Sequence, residues 1–316
     1  MPYNLMEPAV FSNDNGRSYS IGPMPKKTSR LHFDYDDAES QQWITEQSGL
    51  NEITIDGLIS EDSRPHVLTR NNNLLAIFRG VNLNPDSQPE DMISLRVWTD
   101  GRRLISTQRR RLISTEDVLA SLNEATGPKT IPALLIDWVE RIVTRMSDTV
   151  DKLEDDLYDI ESMLDTSDPR EIRPAILRLR RQSIGIRRYL APQREAINHL
   201  IDKQLNWMDD LDRLRLKSIS DRQIRHIESI DMLTERASMV QDELINRMSE
   251  EINQRSYVLT IVAAIFLPLG FFTGLMGINV GGMPGVNDPG AFWIVVLICV
   301  VIFVLLGSIF YWKKWF

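Results

Sequence analysis

Cysteine is almost absent from these 316 residues. The only one is Cys299, so no disulfide can form within one chain. Histidine is scarce too. His32, His66, His199 and His226 are scattered without metal-ligand spacing, which excludes the usual sequence signature of a tetrahedral Cys/His zinc site. Positive charge is in deficit. A formal net charge of −8 argues against nucleic acid as a partner and suits a cation-handling surface. No nucleotide loop, catalytic triad or metal cluster is found, so nothing supports an enzyme and no catalytic cofactor is expected. The last absence says the most. No Asp, Glu, Lys, Arg or His occurs between Arg255 and Asp288, nor between Asp288 and Lys313.

A bilayer core of about 30 Å needs roughly 20 apolar helical residues, so each charge-free stretch can cross once. Residues 256–279 and 291–312 are read as two transmembrane helices joined by a loop over 280–290. Lying at the C-terminal end, they are not a cleavable signal peptide. Arg247 and Arg255 precede the first span, and Lys313 and Lys314 follow the second. The loop carries Asp288 and no Lys or Arg. Positive charge marks the cytoplasmic side, which predicts both termini inside and the glycine-rich loop outside. Tyr257, Trp293, Tyr311, Trp312 and Trp315 suit aromatic anchoring at the two interfaces.

The rest is charged and soluble in character. Residues 1–30, rich in Gly, Pro, Ser and Asn, read as a disordered leader. Over 31–130, short apolar runs alternate with turn residues. Leu31–Tyr35, Leu74–Val81, Met92–Trp98 and Arg103–Thr107 read as strands, with short helices at Asp37–Gln47 and Thr115–Asn123. This predicts a small cytosolic α/β domain with a mixed sheet.

From Ile131 the period becomes helical. Ile131–Leu164 is an acidic helix, with Asp148, Asp151, Glu154, Asp155, Asp156, Asp159 and Glu161 towards its end. Pro169 opens a basic helix after the cap-like Ser167 and Asp168. The two, over 131–204, are expected to attract each other as an antiparallel pair. Their charges are either ordinary solvated faces of a bundle or, on the acidic helix, an attractor of divalent cations. A last helix starts near Leu205–Trp207 and meets no breaker before Pro268. Its seam (Ile227, Ile230, Leu233, Ala237, Val240, Leu244, Met248) predicts a stalk over 205–255 running on into the first span.

A two-span hairpin cannot enclose an aqueous path alone, so several copies must meet around an axis. Ser256, Leu259, Ala263, Leu267, Gly270, Gly274 and Gly277 fall on one face of the first span, opposite larger groups such as Ile261, Ile265 and Phe272. That face either lines a pore or, through the Gly270/Gly274 pair, packs helices closely. Asn279 follows in the loop. Its amide is either a turn-former or an uncharged contact for a hydrated divalent cation, held weakly enough to be released.

Gly277-Ile278-Asn279, with a long preceding helix, a short loop, a second span and a basic tail, resembles the CorA superfamily of divalent-cation transporters. Its magnesium branch usually has Tyr-Gly-Met-Asn. Here Met276 and Ile278 replace the Tyr and the Met, and the following Val280-Gly281-Gly282-Met283-Pro284-Gly285 looks more like the ZntB zinc-transporter branch. Arg79–Pro85 and Asp91–Trp98 are also similar to that branch. The resemblance implies a homopentameric funnel in the bacterial inner membrane, an α/β cytosolic domain with a long helical stalk and two C-terminal transmembrane helices. First spans would line the pore, and Gly277, Ile278 and Asn279 would form its outer mouth and selectivity motif. Zn²⁺ is the implied transported ion, with Cd²⁺, Ni²⁺ and Co²⁺ as companions. Uptake is implied, with proton coupling and efflux left open. Lys313 and Lys314 match the family's basic tail, as anchors or as a gate. A Mg²⁺/Co²⁺/Ni²⁺ channel and a membrane-anchored coiled-coil scaffold are the competing readings.

Overall fold

A computed structural model describes the backbone of residues 11–13, 16–20, 29–60, 64–278, 285 and 288–312, with side chains from Arg30 onward. The chain divides into two compact units, Met1–Asp242 and Glu243–Phe316.

The first unit is built on seven strands: β1 (Phe11–Asn13), β2 (Gly16–Ser20), β3 (Ser29–Asp34), β4 (His66–Arg70), β5 (Asn73–Gly80), β6 (Ile93–Thr99) and β7 (Arg103–Gln108). Their spatial order is β1-β2-β3-β7-β6-β5-β4. Only β3 and β7 pair in parallel, so the sheet is mixed as the alternating pattern predicted. β6 is buried along its whole length because helices cover both faces. On one side α1 (Ala38–Gln42), its π-helical continuation Trp43–Gln47 and α2 (Glu52–Ile59) enclose Ile44, Leu58, Leu75, Trp98 and Ile105. On the other, Phe78, Leu95 and Val97 pack with Leu135, Trp138 and Ile142 of α4 (Ile131–Met163), Ile197 of α5 (Pro169–Asp202) and Leu216 of α6 (Asp210–Met276). Burying each such side chain contributes about 1.5–3 kcal/mol. The remaining helix of this unit, α3 (Ile113–Asn123), packs on α4.

Several expectations are corrected. The segment read as a disordered leader contains β1, β2 and the start of β3. Tyr19 pairs with His32 and Phe11 with Ser18, through backbone groups that need no apolar run at a sheet edge. β4 and α2 lie outside the predicted elements. β4 turns into β5 through Asn71 and Asn72, both at positive φ (50° and 66°), the geometry of a tight hairpin. α2 is capped by Asn51, whose side chain accepts from the Thr54 N–H at 2.9 Å. The boundary drawn between residues 130 and 131 is not one in packing, since sheet and long helices share a single core.

α4 is capped by Thr130 (3.3 Å from the Ala133 N–H) and α5 by Asp168 (2.8 Å from the Arg170 N–H), with proline in each first turn. The acidic and basic helices do not hold each other by ion pairs among the described residues. Both instead reach α6. Glu140 and Glu161 of α4 meet Arg215 (2.9 Å) and Arg236 (2.6 Å), and Arg187 of α5 pairs with Asp231. α6 starts at Asp210, later than Leu205–Trp207. The preceding turn is held by Trp207 Nε1 donating to Asn72 O at 2.9 Å and by Asn206 N donating to Asn72 Oδ1 at 2.8 Å.

The second unit comprises the remainder of α6, unbroken through Pro268 to Met276, and α7 (Ala291–Trp312). α6 and α7 are the two helices, among the described residues, long and apolar enough to cross a membrane.

Candidate functional site

Almost none of either apolar segment is buried within the chain. A soluble core helix would hide this surface, whereas lipid or further copies would cover it. What little is hidden forms a stripe. Ile261 is buried, and Tyr257, Ala264, Ile265, Leu269 and Phe272 are half-buried. α7 shows a matching stripe through Val295, Cys299, Ile302 and Leu306.

The six candidate lining residues of α6, Ser256, Leu259, Ala263, Leu267, Gly270 and Gly274, are all exposed. With Gly277 they lie within an arc of about 80°, centred roughly 160° from the hidden stripe, at about 100° per residue. The large residues named opposite them, Ile261, Ile265 and Phe272, belong to that stripe. A face of small residues, with Leu259 and Leu267 among them, therefore points outward from the hairpin. A Cβ added at Gly270 or Gly274 would meet nothing within 4 Å inside the chain.

Thr260 and Thr273 flank this arc and are not among the lining residues expected from sequence. A hydroxyl in an otherwise apolar span was the available signal. Each donates back to a helix carbonyl, Thr260 Oγ1 to Ser256 O at 2.8 Å and Thr273 Oγ1 to Leu269 O at 2.9 Å. Such bonds leave the oxygen lone pairs as acceptors.

α6 ends where Gly277 N donates to Thr273 O (3.0 Å) and Gly274 O (3.1 Å). The last carbonyls of a helix carry the negative end of its dipole, which favours a cation beyond it. Ile278 is exposed just past this end. Asn279, Lys313 and Lys314 lie outside the described residues. Asp288 fixes the entry to α7. Its Oδ1 accepts from Gly290 N at 2.8 Å and its carbonyl accepts from Ala291 N at 3.1 Å.

The cations before the first span are also engaged. Arg247 binds Glu243 at 2.6 Å and Arg255 pairs with Glu251, each one turn earlier. Nearer the start of α6, His226 meets Ser147 Oγ at 2.9 Å. Burial, helped by Arg222 and Arg225, pushes its pKa down to about 4. Among the described residues no group of three or more His, Cys, Asp or Glu side chains can hold a metal ion.

The likeness to known proteins is extensive. The family model described as CorA-like Mg²⁺ transporter protein matches residues 26–314. The divalent cation transporter CmaX of Pseudomonas aeruginosa is 37% identical over 277 residues, 87% of this chain and 83% of that one. The zinc transport protein ZntB of Yersinia enterocolitica is 34% identical over 314 residues, 97% of this chain and 94% of that one. The solved full-length CmaX structure superposes with a TM-score of 0.79 at 34% identity, covering 93% of this chain and 90% of its own. A mixed sheet under long helices, one helix running unbroken into an apolar span and a second span after it make up the CmaX-like fold. With the sequence match extending through both spans, this chain belongs to the CorA-like Mg²⁺ transporter protein family.

Proposed function

We propose that this chain carries divalent metal cations, chiefly Zn²⁺, through a homopentameric pore in the inner membrane, in the direction of uptake. The observation that carries this reading is the exposed arc of α6 on which Ser256, Ala263, Gly270, Gly274 and Gly277 lie beside Leu259 and Leu267, turned away from the hairpin's own packing. A ring of copies meeting on that arc supplies the wall that one hairpin lacks.

The chemistry follows from what the arc and its end offer. Carbonyls at the C-terminus of α6 attract a cation without a fixed charge. Asn279 in the following loop adds an amide acceptor, giving the outer mouth Gly277, Ile278 and Asn279 as a weak, uncharged site. Neutral oxygens hold a hydrated ion loosely, and loose holding is what conduction requires. Zinc passes with water attached, since thiolate and imidazole ligands are absent from the small-residue face of the first span. Met276 and Ile278, and the 34% identity to a zinc transport protein over 97% of this chain, favour Zn²⁺ over Mg²⁺. Arg247, Arg255, Lys313 and Lys314 support a topology with both termini in the cytoplasm, since positive charge beside a span favours that side. No Asp, Glu, Lys, Arg or His lies within either span, so any proton coupling acts at the mouth or along α6.

Radioactive zinc uptake into liposomes holding the purified chain tests this directly. Zinc should enter above the level of empty liposomes, and excess Mg²⁺ should compete poorly. Uptake abolished by equimolar Mg²⁺ would assign the chain to magnesium instead.

A further inference from the structure

The basic run of α5 and the acidic run of α4 take no part in the pore, and they do not neutralise each other. On α5, Arg170, Arg173, Leu177, Arg181, Ile184 and Arg188 fall within an arc of about 80°, at about 100° per residue. The arc is centred roughly 140° from the buried side made by Ile172, Ile176, Leu179 and Ile186. All six side chains are exposed, the apolar Leu177 and Ile184 at 44% and 54%. On α4, Asp148, Asp151, Asp155, Tyr158 and Asp159 fall within about 100°, centred roughly 170° from buried Leu153 and Leu157. These five are exposed too, Tyr158 at 68%.

Charges on the flanks of these stripes find partners inside the chain, all on α6. Arg180 bonds Gln241, Arg187 pairs with Asp231, and Glu161 holds Arg236. The stripes themselves do not. None of their four arginines or four aspartates makes an ion pair among the described residues. A helix face left to solvent ordinarily intersperses the two signs, because like charges one turn apart repel. Here Asp151, Asp155 and Asp159 follow one another at one-turn spacing, and the arginines of α5 alternate with large apolar groups. One chain thus carries two exposed stripes of opposite sign, each with apolar groups at its centre, and each lacks the partner the other could supply.

We propose that the basic stripe of α5 in one copy seats on the acidic stripe of α4 in a second copy of this chain. Four arginines then face four aspartates, which fixes partner and register by charge. Tyr158 enters the space between Leu177 and Ile184 as the aromatic anchor, with guanidiniums beside its ring. The two stripes lie on different helices, so the contact is head-to-tail. It passes from copy to copy until a ring closes. The inference rests on the ring of copies proposed for the pore, and it names a contact outside the spans that holds that ring together.

Cross-linking of the full chain in detergent and in liposomes tests the proposal. On a Cys299→Ser background, Ser162→Cys and Arg178→Cys sit at the edges of the two stripes and leave the proposed contacts in place. A short bismaleimide should give a ladder beyond the dimer when both are present and only monomer with either alone. Arg181→Glu with Arg188→Glu should cut the cross-linked fraction about tenfold at unchanged thermal stability, since neither side chain has an ion partner to lose within the chain. Adding Asp151→Arg and Asp155→Arg to that variant should restore it. The proposal is overturned if no ladder forms, if one cysteine alone gives dimers, or if cross-linking ignores both reversals. Shielding of Arg178→Cys by anionic liposomes only, with no ladder, would give the basic stripe to lipid headgroups and overturn it as well. A charge-dependent ladder without zinc uptake would confirm the contact and sink the transport reading. Uptake by a ring whose cross-linking ignores the reversals would sink the contact alone.

Discussion

Arg236 on α6 grips Glu161 on α4 through two hydrogen bonds, Nη2 to Oε2 at 2.6 Å and Nε to Oε1 at 3.2 Å. A planar guanidinium makes both bonds at once, which a lysine cannot do. Both side chains remain partly exposed, so the contribution is modest. Arg236→Lys should lower stability by about 0.5–1 kcal/mol, seen as a small drop in Tm of the solubilised protein. An unchanged Tm at low salt would mean that the pair contributes nothing.

Gly101 sits at φ +85°, and a Cβ there would come within 2.3 Å of Trp207 Cγ. Gly101→Ala therefore combines backbone strain with a clash, and a loss of about 2–4 kcal/mol is expected in denaturant titration. Trp207→Ala removes the ring and with it the nearest part of the obstacle, leaving the Cβ at 2.6 Å. The double variant should lose clearly less than the sum of the two, and strict additivity would contradict the contact.

Much of this was legible in the sequence, for identifiable reasons. Charge-free stretches and flanking arginines and lysines marked the spans because a bilayer tolerates little else. Short apolar runs bounded by turn residues marked β5 and β6. β4 and α2 escaped because half of β4 faces solvent and α2 is short, with Gly57 inside. β1 and β2 escaped because an edge strand is held through backbone groups. The ion-pair partners of α4 and α5 escaped because charge sign alone does not say which neighbour a side chain reaches. The small-residue face of α6 was readable by spacing; its position opposite the packed stripe needed the burial of Ile261.

His32 is fully enclosed, its Nδ1 is 2.8 Å from Ser106 Oγ, and burial holds its pKa down at about 4. His226 is shifted the same way. Well above pH 6.5 both are neutral whether folded or unfolded. As pH falls from 6.5 towards 4 the unfolded chain takes up protons that the folded one refuses, so stability drops through this window. His32 alone accounts for up to about 3 kcal/mol. Denaturation midpoints between pH 7 and 5, above most carboxylate titrations, should fall for the wild type and fall less for His32→Gln. Equal slopes would contradict the assignment.

The two faces of the first span should differ in water access. With Cys299→Ser as background, Ala263→Cys and Leu267→Cys should react with a membrane-impermeant thiol reagent. Ile261→Cys, on the packed stripe, should be protected. Equal labelling of Ile261→Cys and Leu267→Cys would remove the basis for a pore on the small-residue face.

Zinc flux through Asn279→Ala, reconstituted beside the wild type as oligomers of equal mass, tests the central claim most directly. A pore whose outer mouth depends on the Asn279 amide predicts that zinc uptake falls at least about tenfold while assembly and thermal stability are retained, a barrier change of about 1.4 kcal/mol. Undiminished uptake by Asn279→Ala would contradict it.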